Sequence, residues 1–158
     1  MLRRWHLPLT VATVAFAMVL LYGYQACSAV GVAESTPVPK AAILISITKG
    51  TNDLQAVSMA LGMAGTALKE GHAVIVFLSV QGPQLADRNL GEEVKIADFP
   101  PVKKLVRAVI AGGGKLLVCG HCAECCKIEK TSLVDGAKAC TREDFLKLLQ
   151  SGMVSLSY

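Results

Sequence analysis

The sequence predicts an α/β domain: a parallel sheet with helices covering both of its faces. Three observations point there. Residues 41–47 and 72–80 are apolar runs too continuous for strands with one wet face, the pattern of strands buried on both sides. Helical periodicity follows each run, and the alternation continues to the end of the chain. With 158 residues, 53% of them hydrophobic, the chain can build one core of ordinary size and not two.

The first strand is residues 41–47, bounded by Thr48, Lys49 and Gly50. A helix follows, with Asn52 as its expected N-cap and Gln55 three residues on, and with Leu54, Val57, Leu61, Ala64 and Leu68 on one face. Gly71 stops it, and residues 72–80, rich in β-branched side chains, make the second strand. Residues 81–96 mix polar and apolar positions and read as a loop with one helical turn near residues 85–88.

Asp98, Pro100 and Pro101 open the next helix, whose Val102, Leu105, Val106, Val109 and Ile110 recur at helical spacing. Gly112, Gly113 and Gly114 end it. These glycines precede a strand instead of following one, so they do not form a dinucleotide-binding loop. Residues 115–118 are the third strand, and the cysteine-rich segment starts a helix at Cys119. A turn at Asp135 and Gly136 leads to an extended piece over 137–139. Thr141 caps a last helix with Phe145, Leu146, Leu148 and Leu149 expected inward; Gly152 ends it, and residues 153–158 close the sheet.

The N-terminus has a different character. Arg3 and Arg4 precede an uncharged apolar stretch, and small residues follow at Ala26, Ser28, Ala29, Gly31 and Ala33. Residues 1–33 are therefore expected to be a signal peptide, or an N-terminal membrane anchor through residues 7–24, with export to the periplasm or cell envelope. Residues 34–40, with two prolines, are a linker, and residues 41–158 are the folded domain. Only Arg3 and Arg4 of the 16 basic residues precede residue 34, and all 12 acidic residues lie from Glu34 onward. The domain is thus only slightly basic, which excludes a nucleic-acid footprint.

Four cysteines fall within eight residues: Cys119, Cys122, Cys125 and Cys126. Cys119 stands at the end of a buried strand, where α/β proteins keep reactive groups. Thiolate is the reactive form, favoured by nearby backbone N–H groups and positive charge. Three chemistries fit. Cys119-Gly-His-Cys122 matches a thiol-disulfide exchange motif, but its late position and the lack of any later proline disfavour a disulfide-isomerase fold. The spacing of Cys119, Cys122 and Cys125, with His121 or Cys140 as a fourth donor, suits a metal or Fe–S module. Paired structural disulfides are the third reading. His121 is expected to face solvent, and His72 to be structural.

Taken together, the strand ending at Ile47 with Thr48-Lys49-Gly50, the segments Leu68-Lys-Glu-Gly-His72 and Val74-Ile-Val-Phe-Leu78, Pro100-Pro101, and Leu117-Val-Cys-Gly-His-Cys122 resemble the DsrE/DsrF group of sulfur-relay proteins. The resemblance covers about residues 41–158. It implies a flavodoxin-like three-layer sandwich with a mainly parallel sheet of about five strands, assembled as trimers or hexamers. It also implies a persulfide on Cys119, with Cys122 as resolving thiol, and donor and acceptor partners that are proteins or small polysulfides. No cofactor and no metal ligand are implied. The function expected is a sulfur carrier or sulfurtransferase acting through Cys119. A cysteine-ligated metal module and a thiol-disulfide redox protein are the alternatives.

Overall fold

The computed structural model describes residues 40–149 and 153–158. The signal or anchor segment, most of the linker and Gly152 lie outside the described residues. No helix among the described residues is long and apolar enough to cross a membrane.

Five strands form one sheet: β1 (Ile43–Ile47), β2 (Val74–Leu78), β3 (Lys115–Cys119), β4 (Ala137–Cys140) and β5 (Val154–Ser157), in the order β4-β3-β2-β1-β5. Every pairing is parallel, as the buried apolar runs predict. Six helical segments among the described residues connect or extend them: α1 (Leu54–Lys69), a 3-10 turn (Gly82–Ala86), α2 (Val102–Ala111), the short α3 (Gly120–Cys125), a second 3-10 turn (Lys130–Ser132) and α4 (Arg142–Leu149).

Strand alternation divides the side chains between two layers. Ile45, Ile47, Val76, Leu78, Leu116 and Val118 point to one face and pack with Val57, Leu61 and Ala64 of α1 and Val102, Val106 and Val109 of α2. Each fully buried valine, leucine or isoleucine among them contributes about 1.5–3 kcal/mol. The opposite face carries Leu44, Phe77 and Cys140, covered by Phe145 and Leu148 of α4. One helix cannot cover a five-stranded sheet. Leu146 and Leu149, expected inward, are accordingly 58% and 45% exposed.

Several local expectations are corrected. Asp53, not Asn52, caps α1: its carboxylate accepts from the Ala56 N–H at 3.0 Å, while Asn52 Oδ1 accepts from the Gly50 N–H at 2.9 Å. The turn read near residues 85–88 is a 3-10 turn beginning earlier, at Gly82. Gly82 has no room for a Cβ, which would meet the Ile47 carbonyl oxygen. Lys103 is buried despite its charge, with its ammonium 3.1 Å from Glu92. Arg107 grips the same carboxylate at 2.9 and 3.2 Å, which ties the connection after β2 to α2. These partners, Lys103 first, hold the Glu92 carboxyl below its usual range.

Candidate functional site

Parallel pairing brings the carboxyl ends of all five strands to one rim. From β1 to β3 the connections pass over the face that holds α1 and α2, and Ala123 of α3 packs into that same layer. The connection leaving β4 turns instead to the opposite face, where α4 lies. The chain therefore diverges between the ends of β3 and β4, and a crevice opens at that point, as in other α/β sheets. Cys119 and Cys140 are the last residues of these two strands and are register partners.

Two clefts meet there. One, of about 270 Å³, is bordered by Cys119, His121, Glu124, Lys130, Cys140 and Arg142. The other, of about 260 Å³, is walled by Phe77, Phe145 and Leu146 and shares Cys119, Cys140, Thr141 and Arg142 with the first. Cys119 is half-buried, so its sulfur meets solvent. A groove of about 360 Å³ between α1 and α2, lined by Leu61, Gly65 and Leu105, holds neither cysteine nor histidine.

The five cysteines among the described residues are free thiols. Cys119 and Cys122, singled out by sequence, come together: the Cys122 thiol is hydrogen-bonded to Cys119. Burial, then that hydrogen bond, pushes the Cys122 thiol up, against a lowering hydrogen bond from the Val80 backbone. Cys122 thus holds its proton more firmly than an unperturbed thiol does.

Cys125 is exposed, 3.9 Å from His121 Nε2, and Cys126 donates to the Val80 carbonyl oxygen at 3.3 Å. Neither borders the clefts. His121 is exposed as expected, and His72 Nδ1 lies 3.1 Å from the Ala41 carbonyl oxygen, a structural contact. Among the described residues no three His, Cys, Asp or Glu side chains converge on a point where a metal ion could sit.

Sequence reasoning missed two participants. Val80 has φ 54°, a left-handed conformation that is unusual for a β-branched residue. Its peptide faces both Cys122 and Cys126, so backbone strain is spent where the sulfurs are supported. Nothing in a valine at that position signals it. Cys140 was reachable: the extended piece after Gly136 needed only one more residue, since β4 ends on Cys140 and not on Ala139.

Comparison with known proteins agrees with this architecture. MJ0760 of Methanocaldococcus jannaschii, an uncharacterized protein, is 31% identical over 107 residues, covering 68% of this chain and 39% of its own length. MJ0989 of the same organism, also uncharacterized, is 28% identical over 106 residues, covering 67% of this chain and 90% of its own. The crystal structure of the E. coli ychN protein superposes with a TM-score of 0.64 at 14% identity, over 75% of this chain and 99% of that one. MTH1491 of Methanobacterium thermoautotrophicum, of unknown function, gives 0.60 at 9% identity, with the same coverage. These two likenesses show a shared fold. The DsrE/DsrF-like sequence profile matches residues 41–157, so the chain belongs to the DsrE/DsrF-like family, which is associated with sulfur relay.

Proposed function

We propose that the protein is a sulfur carrier that holds a persulfide on Cys119 and passes the outer sulfur to a partner thiol. The observation that carries this reading is the position of Cys119: at the diverging strand ends, half-exposed, and on the border of both clefts. The Cys119 thiolate attacks the terminal sulfur of a polysulfide or of a donor persulfide, the donor's S–S bond breaks, and the shortened donor leaves with the electron pair. Lys130 and Arg142 border the polar cleft and favour an anionic polysulfide. The apolar wall of Phe77 and Phe145 suits sulfane sulfur, which is poorly hydrated.

The uncharged stretch behind Arg3 and Arg4 supports work in the cell envelope, with sulfur compounds outside the cytoplasm as donors. Mass spectrometry of the intact, reduced chain after brief polysulfide treatment tests the carrier reading. A one-sulfur increment is expected on Cys119 and is absent in Cys119→Ser; an increment that survives this substitution refutes the assignment.

A further inference from the structure

Cys140 has no part in the reading above, yet it is the strand-register partner of Cys119. The two residues end adjacent parallel strands in register. In-register parallel partners present their side chains to the same face, and both belong to the layer under α4. Neighbouring strands lie about 4.8 Å apart. That spacing falls inside the Cα separation of about 4.4–6.8 Å that a disulfide accepts. The Cα spacing therefore admits a disulfide between Cys119 and Cys140.

We infer that Cys140 is the resolving thiol of this site: it discharges a Cys119 persulfide as hydrosulfide and closes a Cys119–Cys140 disulfide. This rests on the carrier reading and adds to it a second outcome for the bound sulfur. The Cys140 thiol first loses its proton to solvent. Its thiolate then attacks Sγ of Cys119, a new S–S bond forms between the two cysteines, and the bond from Cys119 to the outer sulfur breaks. The outer sulfur leaves with the bonding electrons, takes up a proton from solvent and departs as HS⁻. It is reduced from sulfane to sulfide while the cysteine pair is oxidised, so no outside oxidant enters. A dithiol reductant or a small thiol returns the disulfide to the starting dithiol.

Two observations set Cys140 apart from Cys122, the residue that motif spacing nominates. Cys122 sits on α3 and borders neither cleft. Cys140 approaches from the neighbouring strand and borders both clefts together with Cys119, so the departing hydrosulfide has an open way out. Cys140 is also only 8% exposed. An external acceptor thiol that enters the clefts also reaches the persulfide, so transfer competes with discharge.

The full chain is reduced, loaded with polysulfide, freed of excess reagent under anaerobic conditions, and followed for sulfide release. Alkylated peptides are then mapped without reduction. The wild type is expected to release sulfide equimolar to its loaded sulfur and to yield a Cys119–Cys140 linked peptide; Cys140→Ser is expected to keep the sulfur on Cys119, with release lost. Should Cys140→Ser fold poorly, diamide oxidation of the wild type decides, because the same linked peptide must form. Undiminished release in Cys140→Ser, or a Cys119–Cys122 linkage in its place, overturns the inference. Sulfur that loads on wild-type Cys119 and stays there overturns this inference alone. Failure of either protein to load sulfur on Cys119 overturns the carrier reading with it.

Discussion

Replacing Phe145 with alanine tests how far the back of the sheet and the reactive pocket depend on one side chain. Phe145 stacks on Phe77 with ring centroids 4.1 Å apart and planes at 22°. It belongs to α4, the helix that covers Leu44, Phe77 and Cys140. Truncating a fully buried phenylalanine costs about 3–5 kcal/mol. Phe145 is half-buried, so roughly half of that applies, and the lost stacking of about 0.5–1.5 kcal/mol falls within it. The expected loss is about 2 kcal/mol, or roughly 8 °C in Tm for a domain of this size. Urea unfolding gives the free energy, and a thiol reagent applied to the folded protein reports the pocket. Cys140, 8% exposed and walled by Phe145, should react markedly faster in the variant. A loss below about 0.5 kcal/mol, the range of ordinary surface changes, with Cys140 still protected, would refute the account of α4.

Two further predictions concern protonation and the start of α4. Burial, followed by charge at Cys119 and Asp144, pushes the Cys140 thiol up. The folded chain therefore holds this proton at a pH where an unfolded thiol, with a value of about 8.5, has released it. Its contribution is complete below that pH and is lost as pH rises through the folded value. Urea midpoints should fall between about pH 7 and pH 9.5, and fall less in Cys140→Ala; equal slopes for both proteins would contradict the assigned cause. Thr141 Oγ1 accepts from the Asp144 N–H at 3.2 Å, and Asp144 Oδ2 accepts from the Thr141 N–H at 3.2 Å, a reciprocal cap. Thr141→Ala should cost about 1 kcal/mol and Thr141→Ser much less, by the same unfolding measurement; equal losses would show that the hydroxyl does not matter.

What the sequence disclosed and what it hid follow from the kind of signal each residue carries. The central strands were legible because burial on both faces writes a continuous apolar run, as Val74 to Leu78 shows. β4 was harder. Ala137, Lys138, Ala139 and Cys140 form an edge strand with exposed positions, so periodicity places the segment without fixing its last residue. The inward assignment of Leu146 and Leu149 failed because helical spacing gives the apolar side of α4 and says nothing of how narrow a surface it meets. Asp53 displaced Asn52 as cap because neighbouring Asx residues are equivalent by type, and only backbone direction separates them. Cys119 was legible because strand ends in a parallel sheet are predictable. The bond from Cys122, the strained Val80 and the register of Cys140 depend on tertiary proximity, which no local pattern records.

The alternation of β3 gives its reactive sulfur a parity. Val118 points into the layer under α1 and α2, and Cys119, one position on, belongs to the layer under α4. Pairing with β2 on one side and β4 on the other locks this count from Lys115 onward. Exchanging one side chain for another along the strand leaves the count intact. Adding or deleting a single residue between Gly114 and Cys119 would invert it, swinging the sulfur into the opposite layer and away from Cys140. The chemistry at this rim therefore depends less on which residues make up β3 than on how many there are.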